Sequence, residues 1–98
     1  MAITLNKQAI RCEEIALAGG KISPLSSPRT SLYDISREWR VLLEATSFPS
    51  ENIPKWSEKE EAAAEVLIAT LTYLQRIGCT NIEQLLRDAI ERHARQNE

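Results

Sequence analysis

The sequence predicts an all-α fold, a bundle of four helices, on three observations. Apolar residues recur every three or four positions in four separate stretches. The four prolines and three glycines all fall between those stretches. No segment alternates apolar and polar residues with the period of two that a half-buried strand requires. Four striped helices bury their apolar sides most simply against one another. The expected helices are residues 4–18, 31–46, 57–77 and 81–95, with fraying from about Gln96.

The first helix carries Leu5, Ala9, Cys12 and Ala16 on a weak stripe and stops at Gly19 and Gly20. The next segment, KISPLSSPRT at 21–30, contains two prolines and three serines and reads as a loop. Ser31 opens the second helix with Asp34 as a capping partner, and Leu32, Ile35, Trp39, Leu42, Leu43 and Thr46 form its expected core face. FPSENIPK at 48–55 has a proline near each end and leads into the third helix, with Trp56 just before the cap as a hydrophobic staple.

The third helix organises the rest. Its stretch, SEKEEAAAEVLIATLTYLQRIG at 57–78, opens with a capping box, Ser57 and Glu60. Glu58, Glu60 and Glu61 lie where the helix dipole favours anions, and Gly78 supplies the stop. Between Glu65 and Arg76 there is no charge. Ala63, Val66, Leu67, Thr70, Leu74 and Ile77 form one apolar face, and Ile68 and Leu71 add a second. A helix apolar on two sides is expected at the centre, with one side free for self-association, as a homodimer or homotetramer. The fourth helix begins around Thr80, Asn81, Ile82 and Glu83 and turns Ile82, Leu85, Leu86, Ala89 and Ile90 inward.

With 98 residues the chain makes one domain, residues 1–98, and its 43% hydrophobic and 27% charged content is that of an ordinary globular protein. A net charge of -2 and a pI near 5.5 provide no field for gripping phosphate backbones, so no nucleic acid polymer is expected as partner. Cys12 and Cys79 are far apart and form no C-x-x-C, which points to reduced thiols and not to zinc. No apolar run approaches the roughly 18 residues of a membrane span, and MAITLNKQAI has no signal-peptide core. The expectation is a cytoplasmic protein without a membrane partner. His93, the only histidine, has no Ser or Cys spacing suggestive of nucleophilic catalysis.

The carboxylates carry the functional signal. Asp34 and Glu38 are four apart on the second helix, and Glu61 and Glu65 are four apart on the third, so each pair projects from one side of its helix. Two such pairs on neighbouring helices would suit Mg²⁺, which takes hard oxygen ligands and is commonly held by a few carboxylates with substrate phosphates. Acidic pairs at this spacing are also common on solvated helix faces. Glu65, however, abuts the uncharged stretch beginning at Val66, where a buried carboxylate needs a partner.

EWRVLLEAT at 38–46, followed after a proline-containing loop by EEAAAEVLIATLTYLQRIG at 60–78, resembles the two signature helices of the all-α nucleoside triphosphate pyrophosphohydrolases, the MazG-like superfamily. That family's pattern is E-x-x-E on one helix and E-x-x-D on the next. The resemblance spans nearly the whole chain, since AIRCEEIALAGGK also resembles the leading helix of such proteins. Two of the four acids differ: Val41 stands at the second position and Ala62 at the third, while Glu65 replaces the final Asp. Glu61, one position before Ala62, points about 100° away from it around the helix.

The resemblance implies a MazG-like bundle and Mg²⁺-dependent hydrolysis of a nucleoside triphosphate between its α and β phosphorus atoms. Glu38 and Glu65 would be metal ligands, with Asp34 and Glu61 as auxiliary ligands or bases. Lys21, Arg37, Arg76 and Arg95 are the candidates for the phosphates, and Trp56 for stacking on a base. The alternative is a relative that has lost two ligands and serves as a nucleotide-binding or protein-interaction module.

Overall fold

A computed structural model describes residues 4–96. Four helices follow in order: α1 (Leu5–Ala18), α2 (Arg29–Glu44), α3 (Glu58–Arg76) and α4 (Ile82–Gln96). The described residues contain no strand, only an isolated antiparallel bridge between Pro49 and Ser57. The expected fraying past Gln96 falls on residues 97–98, outside the described residues. No described helix is long and apolar enough to cross a membrane.

The helix ends follow local chemistry. The Thr4 hydroxyl accepts from the Lys7 amide at 3.2 Å and caps α1. At the other end, the Lys21 amide reaches the Ala16 carbonyl at 3.0 Å and the Gly20 amide reaches Leu17 at 3.2 Å. This is a Schellman stop, with Gly20 in the left-handed conformation at φ 76°. The C-terminus of α3 repeats it: Cys79 bonds to Leu74 at 3.0 Å, Gly78 to Gln75 at 3.1 Å, and Gly78 has φ 86°. At both glycines the space around an added Cβ is open, so only the backbone conformation selects against a side chain, at about 1–2 kcal/mol.

The capping box at α3 forms as expected. The Glu60 amide donates to the Ser57 hydroxyl at 3.1 Å, and the Ser57 amide donates to the Glu60 carboxylate at 3.0 Å. The Ser57 amide, and then its hydroxyl, hold the Glu60 carboxyl below the usual glutamate range. This contribution to stability is therefore full above the unfolded-state pKa and is lost as pH falls through the folded one.

The start of α2 differs from expectation. The helix begins at Arg29, after Pro28, whose ring pre-sets a helical φ, and the Ser27 hydroxyl accepts from the Arg29 amide at 3.2 Å. Ser31 lies inside the first turn, buried, with a hydroxyl that finds no partner among the described residues. Its expected capping partner Asp34 is instead paired with Arg37.

The third helix is central, as expected, packing against both α1 and α2. The side that does so is the one with small residues: Ala62, Ala69 and Thr72 are buried there, along with Ala9 of α1 and Ile22 of the following loop. The Thr72 hydroxyl donates to the Ile68 carbonyl at 2.8 Å, so its burial leaves no polar group unmet. Two expectations are thereby corrected. Trp39 is 52% exposed, and Leu32 and Leu43 also lie outside, because α2 turns Ser31, Ile35, Glu38 and Leu42 toward the bundle. On α4 only Ile82 is buried, while Leu85, Leu86 and Ile90 are exposed, because that helix is attached to the rest mainly through its first turn.

That attachment is polar. The Asn6 side-chain carbonyl accepts from the amides of Ile82 at 2.7 Å and Glu83 at 3.3 Å, so α1 caps α4 across the fold. The Asn6 amide group also donates to Asn81 at 3.2 Å. Replacing Asn6 by Ala is expected to cost about 1–2 kcal/mol in urea unfolding, as for loss of an N-cap. A midpoint equal to that of the wild type would contradict this role.

Candidate functional site

Three helices converge on a cavity of about 210 Å³. From α1 come Cys12, Ile15 and Ala16, from the loop after it Gly19 and Lys21, from α2 Asp34 and Glu38, and from α3 Glu65, Ile68, Ala69 and Thr72. The four-residue spacing brings Asp34 and Glu38 to one side of α2, and the α2–α3 packing sets Glu65 opposite them. Their side chains are largely screened from water, Asp34 at 23% and Glu38 at 19% exposure, and Glu65 is half-buried.

The charge balance is uneven. The Arg37 guanidinium meets the Asp34 carboxylate at 2.6 Å and lies 3.8 Å from that of Glu38, so one cation serves both α2 acids. Glu65 has no hydrogen-bond donor or ion-pair partner among the described residues. Water reaches this carboxylate, because among the described residues only the Ser31 hydroxyl is a buried side-chain polar atom without a partner. Cys12 registers its presence: burial chiefly pushes the Cys12 thiol above the ordinary range, Arg11 opposes this, and the Glu65 charge adds to it.

Of the acids named from the sequence, Asp34, Glu38 and Glu65 share this cavity, and Glu61 does not. The Glu61 carboxylate accepts from the Ser50 hydroxyl at 2.7 Å and the Asn52 side-chain amide at 3.3 Å, and it lines a separate cleft with Ile53, Trp56, Glu60 and Ala64. Ser50 is buried, and its hydroxyl oxygen also accepts from the amides of Asn52 at 3.1 Å and Ile53 at 3.2 Å. Glu61 therefore fastens the 45–57 connection to the start of α3. The Ser-x-Asn spacing between prolines is the sequence sign of such a hydroxyl-centred turn. Among the described residues no three His, Cys, Asp or Glu side chains are grouped closely enough to hold a metal ion by themselves.

The basic candidates also separate. Lys21 lines the acid cavity, and Arg37 stands at its edge in the ion pairs described. Arg76 is a structural clamp: it donates to the carbonyls of Ser26 at 2.8 Å and Ser23 at 3.3 Å and pairs with Glu13 at 3.4 Å, fixing the α1–α2 loop to α3. Arg95 is exposed near the far end of α4 and does not line the acid cavity. Trp56 is half exposed, with the Lys55 ammonium 5.8 Å from its ring, on the Glu61 side. Of the two positions where the acid pattern is broken, Val41 is 52% exposed on α2 and Ala62 is buried in the α3 seam.

Compared with known proteins, the chain matches no family model, no curated protein and no solved structure.

The electrostatic coupling of Cys12 to Glu65 across the shared cavity has a chemical readout, because the thiolate is the reactive form. In a Cys79→Ser background, Cys12 is expected to alkylate more slowly at mildly alkaline pH than a free thiol. Glu65→Gln, which removes the negative charge, should lower the Cys12 pKa and speed the reaction. An unchanged or slower rate in Glu65→Gln would contradict the shared cavity.

Proposed function

We propose that this chain is a Mg²⁺-dependent nucleoside triphosphate pyrophosphohydrolase of MazG-like type, working at the Asp34, Glu38 and Glu65 cavity. The observation that carries the reading is Glu65: a half-buried carboxylate, without a hydrogen-bond donor or ion-pair partner among the described residues, lining one cavity with two further acids. The donor set fits the ion. Mg²⁺ is usually held by one or two carboxylates together with phosphate oxygens and water, so no self-sufficient protein cage is needed. Glu38 and Glu65, from two different helices, would hold it. When bound, the ion offsets the charge of the phosphates and lowers the pKa of water near them.

Lys21 lines the same cavity and supplies positive charge for the phosphate chain. Asp34, oriented by Arg37, takes the proton of the attacking water. Water adds to the α-phosphorus, the bond from that phosphorus to the α,β-bridging oxygen breaks, and monophosphate and pyrophosphate leave. At about 210 Å³ the cavity is below the roughly 300 Å³ usual for a whole ligand, so it accommodates the ion and phosphates while the base stays outside.

One observation favours a second reading, a module that binds the nucleotide without turning it over. Val41 and Ala62 remove two acids, and no three-acid metal grouping is present among the described residues.

Pyrophosphate release from a panel of NTPs and dNTPs, with Mg²⁺ and with chelator, separates the readings. The enzyme reading expects metal-dependent turnover that Glu38→Gln and Glu65→Gln each lower by about 100-fold or more, since even groups one step removed from a metal cost 10–100-fold. Mg²⁺-dependent nucleotide binding without turnover would establish the module. Neither binding nor turnover across the panel would refute both.

A further inference from the structure

We infer that Arg37 is the residue by which the acid cavity discriminates, favouring a divalent cation that arrives complexed to a triphosphate over the same cation alone. The inference rests on the nucleotide reading above and adds to it the form in which the metal is taken. Two carboxylates on α2 already share this one cation. Nη2 of Arg37 meets Asp34 Oδ1 at 2.6 Å, and its Nε lies 3.8 Å from Glu38 Oε1. The first contact spans three residues, a separation at which helical side chains are neighbours, and the second spans one, at which they point apart. Asp34 is therefore the firm anchor and Glu38 the loose one.

The charge balance gives Arg37 its leverage. The cavity lining carries Asp34, Glu38 and Glu65 against Lys21, and no other charged side chain. With Arg37 at the edge, three negative charges face two positive ones, a local net of -1, and without it three face one, a local net of -2. A bare divalent cation is drawn more strongly to the more negative arrangement, whereas a metal–triphosphate complex, itself anionic, is drawn to the less negative one. One guanidinium thus acts with opposite sign on the two ligands. Asp34 and Glu38 are 23% and 19% exposed, so the charge beside them is screened less than it would be at open surface.

The guanidinium also keeps donors in reserve. Nε and Nη2 face the acids, while Nη1 donates to no described residue. The side chain is 60% exposed, so a ligand at the cavity edge has access to it. Anchored on Asp34, Arg37 can yield its 3.8 Å contact with Glu38 to a cation and still offer Nη1 to a phosphate oxygen. The ligand census agrees: no three acids among the described residues form a cage by themselves, so phosphate oxygens must complete the coordination of any cation held here.

Two titrations of the full chain test the inference: Mn²⁺ alone, followed by water-proton relaxation, and α,β-methylene triphosphates of the common bases with Mg²⁺ in excess, followed by calorimetry. Arg37→Gln is expected to bind Mn²⁺ about 3- to 10-fold more tightly than the wild type and the triphosphate more weakly by a similar factor, as for one partly screened charge. Arg37→Lys, which keeps the charge, is expected to restore both affinities toward those of the wild type. Arg40→Gln removes the same charge from an exposed position of α2 that does not line the cavity, and is expected to leave both unchanged. Since Arg37 is mostly exposed, its glutamine variant is expected to retain helical circular dichroism. If the wild type binds triphosphate but Arg37→Gln moves both affinities in one direction, or neither, the inference is overturned and the nucleotide reading stands. Arg40→Gln reproducing the effect of Arg37→Gln would overturn it in the same way. A wild type that binds no triphosphate with Mg²⁺ would overturn the nucleotide reading and this inference with it.

Discussion

The structure depends on one side of α3 being small. Ala62, Ala69 and Thr72 are buried between α1 and α2, and a close-packed interior leaves room for neighbouring backbones only where side chains are short. That seam fixes how α2 is rolled about its axis. Turning Ile35 and Leu42 inward turns Glu38 inward as well, because the three lie within one helical face. The cost of half-burying a carboxylate is thus a consequence of how the core is assembled. Glu65, on the same side of α3 as Ala62 and Ala69, is brought to the same place from the opposite wall.

Around this seam the cations divide into structural and available. Arg76 is committed to two loop carbonyls and Glu13, which ties the α1–α2 connection onto α3 and so sets the wall that carries Lys21. Arg37 is committed to the α2 acids. Glu61, the fourth acid of the two pairs, is likewise committed, holding Ser50 and Asn52 so that the connection before α3 stays in register. Of the three cavity acids, Glu65 alone has no hydrogen-bond donor or ion-pair partner among the described residues, and Lys21 lies on the same lining.

The sequence made legible what depends on period and punctuation. The four helices, the central place of α3, its capping box and both glycine stops follow from Ser57, Glu60, Gly20 and Gly78. What it did not make legible depends on which of two competing apolar faces wins. Weighing residues by hydrophobicity favours Trp39 and Leu43 on α2 and the leucines of α3 and α4, whereas the packed seam is built on alanines that such weighing ranks low. The same error hid the extent of the uncovered surface, since Leu85 and Leu86 read as core but are exposed. That Asp34, Glu38 and Glu65 line one cavity was readable from i, i+4 spacing and the acid pattern, whereas nothing in the sequence set Lys21 apart from the other three basic candidates. The diversion of Glu61 and Arg76 into loop anchoring was not, because their partners are hydroxyls and backbone carbonyls that carry no periodic signal.

The central claim, that α2 and α3 present their acids to one cavity that receives a metal-complexed triphosphate, has a direct spectroscopic test. With Mn²⁺ in place of Mg²⁺ and a triphosphate that cannot be hydrolysed at the α,β bridge, paramagnetic broadening of amide resonances reports where the ion sits. The account predicts broadening that is strongest at residues 34–38 and 65–69 together. Broadening centred on the acidic first turn of α3 at Glu58, Glu60 and Glu61, or none in either helix, would contradict it.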